Sequence, residues 1–187
     1  MNSEAAARNR DGSDPDREVQ VAGEKLILTT ARAAVWPAQR ALFIADMHIG
    51  KAASFRAFGL PIPRGTTADT LGQLTAVIGR YAVKRVFILG DFLHSKHALP
   101  AATLTTLRAW RELHSNLDLV LVSGNHDKRA GPPPPELKME VHRELCVGPY
   151  VLAHQPRASD YGYVLSGHLH PAIRISSRID SLRLPCF

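Results

Sequence analysis

Five short apolar segments of this sequence each end in side chains that can bind a metal ion. The segments are RALFIAD, RVFILGD, LDLVLVSGN, PYVLAH and GYVLSGHLH, and each has the length and apolar content of a buried strand. A recurrence of this kind restricts both the fold and the chemistry of the chain. The side chains at or just after the segment ends are Asp46, His48, Asp91, Asn125, His126, His154, His168 and His170.

Helical segments separate the first three of these strands. Residues 66–83 carry apolar side chains at helical spacing, with Thr66 or Thr67 as a cap, and residues 100–114 predict a second helix. Upstream, EKLILTT and AAVW predict the two strands of an edge hairpin. An alternating βα order predicts an α/β fold in which the strand ends lie along one edge, so residues distant in sequence can meet there.

The types of side chain and their spacing predict a catalytic metal centre. In Asp-x-His and His-x-His, the two side chains point to the same side of an extended backbone and can reach one small volume. Carboxylate, imidazole and amide groups without a thiolate suit manganese, iron or zinc. Two such ions roughly 3.5–4 Å apart promote the hydrolysis of phosphate esters. Taken singly, each residue is more often a turn former, a helix cap or a surface histidine.

The length and composition predict one globular domain. The chain has 187 residues, of which 45% are hydrophobic, enough for a full core. Residues 1–22 are polar and charged, which predicts a disordered leader, and residues 23–187 form the predicted domain. The two cysteines, Cys146 and Cys186, form no CxxC pair. No apolar run is typical of a signal peptide or a membrane span, which predicts a cytoplasmic protein.

The charge of the chain allows two interpretations. The formal net charge is +6 at pH 7, which suits a polyanionic partner because Lys and Arg neutralise phosphates and release counterions. The same excess is also typical of a basic surface that is merely solvated. Both interpretations remain open at this stage.

The motifs together resemble those of a known superfamily. DMH at Asp46, GD at Gly90, GNHD at Gly124, His154, and GHLH at Gly167 occur in the order found in the calcineurin-like metallophosphoesterases. This resemblance covers the chain from about residue 25 onward. It implies a four-layer α/β/β/α sandwich with metal ions at the carboxyl edge of the sheets.

The resemblance also implies a role for each matching residue. Asp91 would bridge two metal ions, His126 would be the acid that stabilises or protonates the leaving oxygen, and Asp127 would orient its imidazole. The alternative is that His126 completes the ligand set. The implied ligands are Asp46, His48 and His170 for one ion, and Asn125, His154 and His168 for the other.

The segments between these motifs resemble those of a narrower group of proteins. KAASFRAFGLPIPRGTTADT, GDFLHSKH, GPPPP and the terminal LRLPCF are similar to segments of the bacterial ligase-associated DNA damage response metallophosphoesterases. That resemblance implies a DNA endonuclease or phosphodiesterase in DNA repair, dimeric and manganese-dependent, with iron or zinc as other candidates. It implies partnership with a DNA ligase, an exonuclease and a helicase.

Several residues near the motifs are candidates for substrate contacts. Basic side chains in the loop after the first motif and after GNHD could meet phosphates, and one histidine follows GD closely enough to face the site. Exposed basic residues more often have no role beyond solvation. The candidates are Lys51, Arg56, Arg64, His94, Lys128 and Arg129.

Two other functions are compatible with the same motifs. A small-molecule or nucleotide phosphatase or phosphodiesterase would use the same dimetal centre, because the motifs define the metal site and not the substrate. A non-catalytic member of a DNA-repair assembly would keep the metals for stability, although it has no need of His126 and Asp127. The chain ends 17 residues after His170, which predicts a second sheet short of an edge strand.

Overall fold

A seven-stranded sheet dominates the computed structural model, which describes residues 16–62 and 65–187. Its strands lie side by side in chain order. The first four pair antiparallel and the last four pair parallel, with the fourth strand common to both sets. The strands are β1 Arg17–Val21, β2 Glu24–Leu28, β3 Ala34–Trp36, β4 Ala41–Ile44, β5 Arg85–Ile88, β6 Asp118–Val122 and β7 Glu140–His142.

Helices connect the parallel strands and pack on one face of this sheet. They are α1 Lys51–Ala57 and α2 Thr66–Arg80 between β4 and β5, α3 Ala101–Leu113 between β5 and β6, and α4 Asn125–Ala130 after β6. The α2 helix buries a stripe of apolar residues at helical spacing, as the sequence predicts, and this stripe shares a core with Leu107 of α3. The stripe consists of Leu71, Leu74, Val77 and Ile78.

A second sheet covers the opposite face. It consists of β8 Leu145–Val147, β9 Tyr150–Ala153 and β10 Tyr163–Ser166, with β9 in the centre. Because side chains alternate along a strand, Phe43 and Phe87 point away from the helices and stack on each other, and Tyr150 meets Phe43 edge to face. A separate two-stranded ribbon, β11 Ala172–Ser176 and β12 Ser181–Pro185, follows.

These layers confirm the predicted metallophosphoesterase α/β sandwich. In residues 16–62 and 65–187 the layers observed are helix, sheet and sheet, because only a one-turn 3-10 helix, Pro135–Leu137, and no α-helix follows α4, so the predicted fourth layer is not observed there. The second sheet has three strands. None of the helices in these two ranges is both long and apolar enough to cross a membrane.

Five details differ from the sequence prediction. The predicted leader is too long, because residues 17–21 form β1, whose Val19 and Val21 pack into the core between the sheets; residues 1–15 lie outside the described part. The β2–β3 hairpin is consequently not at the sheet edge. The loop predicted after the first motif contains α1, and the short strands β7 and β8 were not predicted at all. Helix α2 ends at Arg80, three residues early.

Candidate metal centre

The predicted ligands all follow strands whose ends meet at one edge of the sandwich. Asp46, Asp91 and Asn125 lie within three residues of the ends of β4, β5 and β6 of the large sheet. His154 follows β9, and GHLH follows β10, both in the second sheet. The two sheets therefore supply the donors of the site together, as the strand-end pattern predicts.

The backbone is left-handed at five of the predicted ligands. Non-glycine residues rarely adopt this conformation, and each instance costs of the order of 1–3 kcal/mol. Its concentration at one edge, where polar side chains converge, is typical of a functional site. The five φ angles are 53° at Asp46, 45° at His48, 52° at Asp91, 72° at His168 and 48° at His170.

One group of donors consists of Asp46, His48 and His170, whose ligand atoms lie within 4.8 Å of one another. The Nε2 atoms of His48 and His170 are 3.5 Å apart, and Asp46 Oδ1 lies 3.6 Å from His170 Nε2. Burial lowers the pKa of His48 to about 4, so its imidazole is neutral at pH 7 and offers a lone pair. Burial also raises the pKa of the Asp46 carboxyl above its ordinary value.

A second group gathers around His154, which is 6% exposed. Its Nδ1 lies 3.0 Å from the Leu89 carbonyl oxygen and donates to it, so in the neutral imidazole Nε2 carries the lone pair. That Nε2 atom faces Asn125 Oδ1 at 2.9 Å, His168 Nδ1 at 3.2 Å and Asp91 Oδ1 at 3.5 Å. Electron-rich atoms thus converge around one point.

Asp91 connects the two groups. Its carboxylate is 2% exposed, and Oδ1 accepts a hydrogen bond from the backbone N–H of His126 at 2.9 Å. Burial is the main influence on the pKa of His48, and the Asp91 charge acts on that pKa in the opposite direction. The same charge also raises the pKa of Asp46. Asp91 therefore acts electrostatically on the first group while belonging to the second.

The donor atoms fit divalent metal ions. Asp46 Oδ1 and His48 Nδ1 are buried without a hydrogen-bond partner within the described ranges. A buried carboxylate oxygen without a partner is costly unless a cation approaches it. Carboxylate, imidazole and amide oxygen are ligands that manganese, iron and zinc accept. A thiolate does not compete, since Cys146 and Cys186 are exposed and outside these groups.

His126 stands beside the two groups in a cluster with His48 and His94. Its Nδ1 lies 2.7 Å from the carbonyl oxygen of His94 and donates to it, and the two rings stack with centroids 5.1 Å apart. This contact leaves Nε2 free to carry a proton to or from a substrate. Burial lowers the pKa of His94, so that ring is neutral at pH 7.

Asp127 does not make the contact with the His126 imidazole that its predicted role requires. Its carboxylate accepts hydrogen bonds from the N–H groups of Leu93, at 2.8 Å, and Gly124, at 2.9 Å, whereas the His126 Nδ1 atom is hydrogen-bonded to the His94 carbonyl oxygen. Asp127 is 5% exposed and holds the turn that starts α4 against the segment after β5. The His94 carbonyl orients the imidazole instead, and a main-chain partner of this kind leaves no trace in sequence.

The predicted substrate contacts are spread over the surface near the site. Lys51 is exposed at the start of α1 and lies over the Phe55 ring at 6.0 Å. Arg56 donates to the Ile62 carbonyl oxygen at 3.1 Å, which directs its guanidinium along its own loop. Arg64 lies outside the described residues. Lys128 and Arg129 are exposed in the last turn of α4.

Glycines allow the strand-end turns to approach one another. A Cβ on Gly124 would lie 2.2 Å from Asp91 Oδ1 and 2.4 Å from the Asp91 backbone nitrogen. A Cβ on Gly90, where φ is +89°, would lie 2.1 Å from His154 Nδ1. The glycines that precede the ligands in sequence thus occupy positions that have no room for a side chain.

Replacing Gly124 by alanine should therefore disrupt the site. The added methyl group must displace the Asp91 backbone, at an expected cost of about 1–3 kcal/mol and a clear loss of bound metal. Thermal unfolding and metal content measure the two effects. Gly72→Ala is the matched control: a Cβ there meets nothing within 4 Å, and helix propensity predicts a gain of roughly 0.5–1 kcal/mol. Equal metal content in the two variants would contradict this packing argument.

Comparison with known proteins agrees with this geometry. Residues 39–152 match the calcineurin-like phosphoesterase family. The crystal structure of the nuclease MPE from Pseudomonas putida superposes with a TM-score of 0.81 and 41% sequence identity, over 92% of this chain and 80% of that one. A search among curated proteins finds no match. The chain accordingly belongs to the calcineurin-like phosphoesterase family and is a metal-dependent hydrolase of phosphate esters.

Proposed function

We propose that this protein is a two-metal, manganese-dependent phosphodiesterase that cleaves DNA in bacterial DNA repair. The observation that carries the proposal is that donor groups from both sheets converge on two points with Asp91 between them. The similarity to a nuclease supports a phosphodiester substrate. The net charge of +6 supports a polyanionic substrate. Because bacterial DNA lies in the cytoplasm, we expect the activity there.

In this proposal each group of donors holds one cation. Asp46, His48 and His170 bind the first, and Asp91 contributes to both. When bound, a pair of divalent cations neutralises charge on the phosphoryl oxygens and makes the attacking water more acidic. The second cation is held by Asn125, His154 and His168.

The protein itself positions the leaving group and its proton. His126 is tied by its backbone N–H to the Asp91 carboxylate and by its Nδ1 to the His94 carbonyl. Its Nε2, when protonated, can deliver that proton to the leaving oxygen of the ester. His94 stacks on the ring and restricts its rotation, which makes His94 a positioning residue.

The partners expected from the sequence belong to the same proposal. They are a DNA ligase, an exonuclease, a helicase and a second copy of the chain. The ribbon β11–β12 supports association, because the cross-strand pairs Ile173–Leu184 and Ile175–Leu182 form an apolar face whose side chains are 39–56% exposed. Light scattering on the purified protein distinguishes a dimer from a monomer.

A comparison of substrates tests the activity. With manganese, we expect cleavage of labelled single-stranded DNA and of bis(p-nitrophenyl) phosphate, and no cleavage of either in EDTA. Gel analysis and nitrophenol release measure the two reactions, and duplex DNA of the same sequence shows the strand preference. Iron and zinc are tested in parallel.

The alternative of a small-molecule phosphatase predicts another outcome. A phosphatase would release phosphate from p-nitrophenyl phosphate faster than it cleaves the diester, and DNA would remain intact. Such a result would end the proposal of a nuclease while leaving the metal centre in place. Activity that survives complete removal of metal would contradict both.

A further inference from the structure

A large groove opens beside the first group of metal ligands. Its volume is about 990 Å³, and it reaches from Asp46, His48 and His170 past α1 and the start of α2 to the ribbon β11–β12. Small-ligand pockets span roughly 300–1,000 Å³, so this groove has room for several unpaired nucleotides but not for a duplex. A bound substrate that extends from the metal site in this direction would enter the groove.

The charged residues that line the groove are mainly basic. Among the described residues that line it, the only acidic one is Asp46, which belongs to the metal centre. Three basic residues, Arg32, Lys51 and Arg183, line it as well. A concave surface with one sign of charge concentrates ligands of the opposite sign, which here are anions.

Arg183 is the basic residue of special interest, because two contacts place it. Its Nη2 donates to the carbonyl oxygen of His170 at 3.4 Å, so the guanidinium lies next to a metal ligand. In the ribbon register Arg183 stands directly opposite Arg174, which lies beside the groove and is not one of the residues that line it. Neither arginine forms an ion pair with any described acidic residue, and both are exposed.

An opposed pair of like charges is unfavourable in a two-stranded ribbon. Like charges directly across two strands destabilise their pairing, and an isolated two-stranded unit is only marginally stable. A phosphate bound between the two guanidinium groups would turn this repulsion into two attractive contacts, because arginine binds phosphate through a planar fork. The pair is thus suited to an anionic ligand.

Aromatic residues that line the groove are suited to contact with nucleotide bases. Phe55, Tyr163 and Phe187 line the groove, and Tyr163 and Phe187 are 55% and 57% exposed. Aromatic side chains along a basic groove are the arrangement by which proteins bind single strands, since each base can stack on a ring. Phosphate contacts on one wall and aromatic rings on others match the two parts of a nucleotide.

We infer that this groove binds the single strand that continues from the scissile phosphate, with Arg183 and Arg174 holding a phosphate of that strand. The inference rests on the proposed nuclease function and adds a substrate form, the unpaired strand, and a binding site for it. Arg183 lies in the terminal segment LRLPCF and Arg174 lies outside the quoted motifs, and neither arginine was among the predicted substrate contacts.

Salt-dependent binding tests the inference. Affinity for a fluorescein-labelled thymidine 12-mer is measured by anisotropy on the full chain in EDTA, which prevents cleavage. Arg183→Gln and Arg174→Gln should each weaken binding by roughly 5-fold at low salt and reduce the slope of log K against log salt by about 0.7. Arg143→Gln, an exposed arginine near β7 outside the groove, is the matched control and should leave both values unchanged. Arg183→Lys should retain the slope.

The outcomes separate the two proposals. If the Arg183→Gln and Arg174→Gln variants bind DNA with the same slope as Arg143→Gln while the parent cleaves DNA after manganese is added, the groove assignment is wrong and the nuclease function stands. If the parent binds the strand through Arg183 but never cleaves DNA, the nuclease proposal fails and the binding site stands. Thermal unfolding serves as a folding control, and relief of the opposed charges predicts no loss of stability in either variant.

Discussion

Replacing Asp91 by alanine is expected to strip bound metal from the protein and to lower phosphodiesterase activity by at least about 100-fold. Changes to groups that merely orient metal ligands cost roughly 10–100-fold in metal affinity or activity, and the loss of a carboxylate shared by two donor groups should cost more. Asp91 Oδ1 lies 3.5 Å from His154 Nε2, and its charge acts on both His48 and Asp46. Metal content after dialysis and hydrolysis of bis(p-nitrophenyl) phosphate measure the two losses.

Two further variants separate the role of the charge from an effect on folding. Alanine also leaves the His126 N–H without its acceptor, at a cost of about 1–3 kcal/mol for a buried group. Asp91→Asn keeps an oxygen for that hydrogen bond and removes the negative charge, so it should fold like the parent and still lose metal. Asp160→Ala changes an exposed aspartate and should alter neither quantity. Full metal content in Asp91→Asn would exclude Asp91 as a bridging ligand.

Replacing His126 by alanine is expected to give the opposite combination, a protein that keeps its metal and loses activity. A positioned acid contributes typically 10²–10⁴-fold to a rate, so DNA cleavage should fall by about that factor. The ring is not required by either donor group, because its Nδ1 is engaged by the His94 carbonyl. His97→Ala, which replaces an exposed histidine in the loop between β5 and α3, is the control for loss of an imidazole.

The leaving group provides a sharper test of the acid. Nitrophenolate departs without a proton, whereas the alkoxide released from DNA requires one, so the activity lost by His126→Ala should be larger on DNA than on the nitrophenyl ester. Equal losses on both substrates would show that His126 stabilises charge rather than transfers a proton. Loss of metal from this variant would instead support the alternative that His126 completes the ligand set.

The convergence of the ligands could be predicted because it follows from topology. Parallel strands of an α/β sheet end at one edge, so polar residues after Ile44, Ile88 and Val122 had to meet. The buried apolar stripe of α2 could also be predicted, because four apolar residues at helical spacing indicate a helix that packs on the sheet.

Other features depend on contacts that a pattern of residue types does not encode. The strand β1 lies in a charged segment, and only its Val19 and Val21 reach the core. The composition of the segment therefore did not predict a strand. The carbonyl oxygens of His94 and Leu89 orient two imidazoles, and every residue has such an oxygen. Asp127 follows His126 in sequence, yet tertiary structure turns its carboxylate toward Leu93 and Gly124.

The division of the donors between two sheets links catalysis to assembly of the fold. The large sheet alone provides Asp46, His48, Asp91 and Asn125, whereas His154, His168 and His170 arrive only when β9 and β10 dock against it. A partly folded chain would therefore offer an incomplete ligand set, and we expect it to bind metal ions weakly and to lack hydrolase activity. Ion uptake during refolding would consequently report the moment at which the two sheets close.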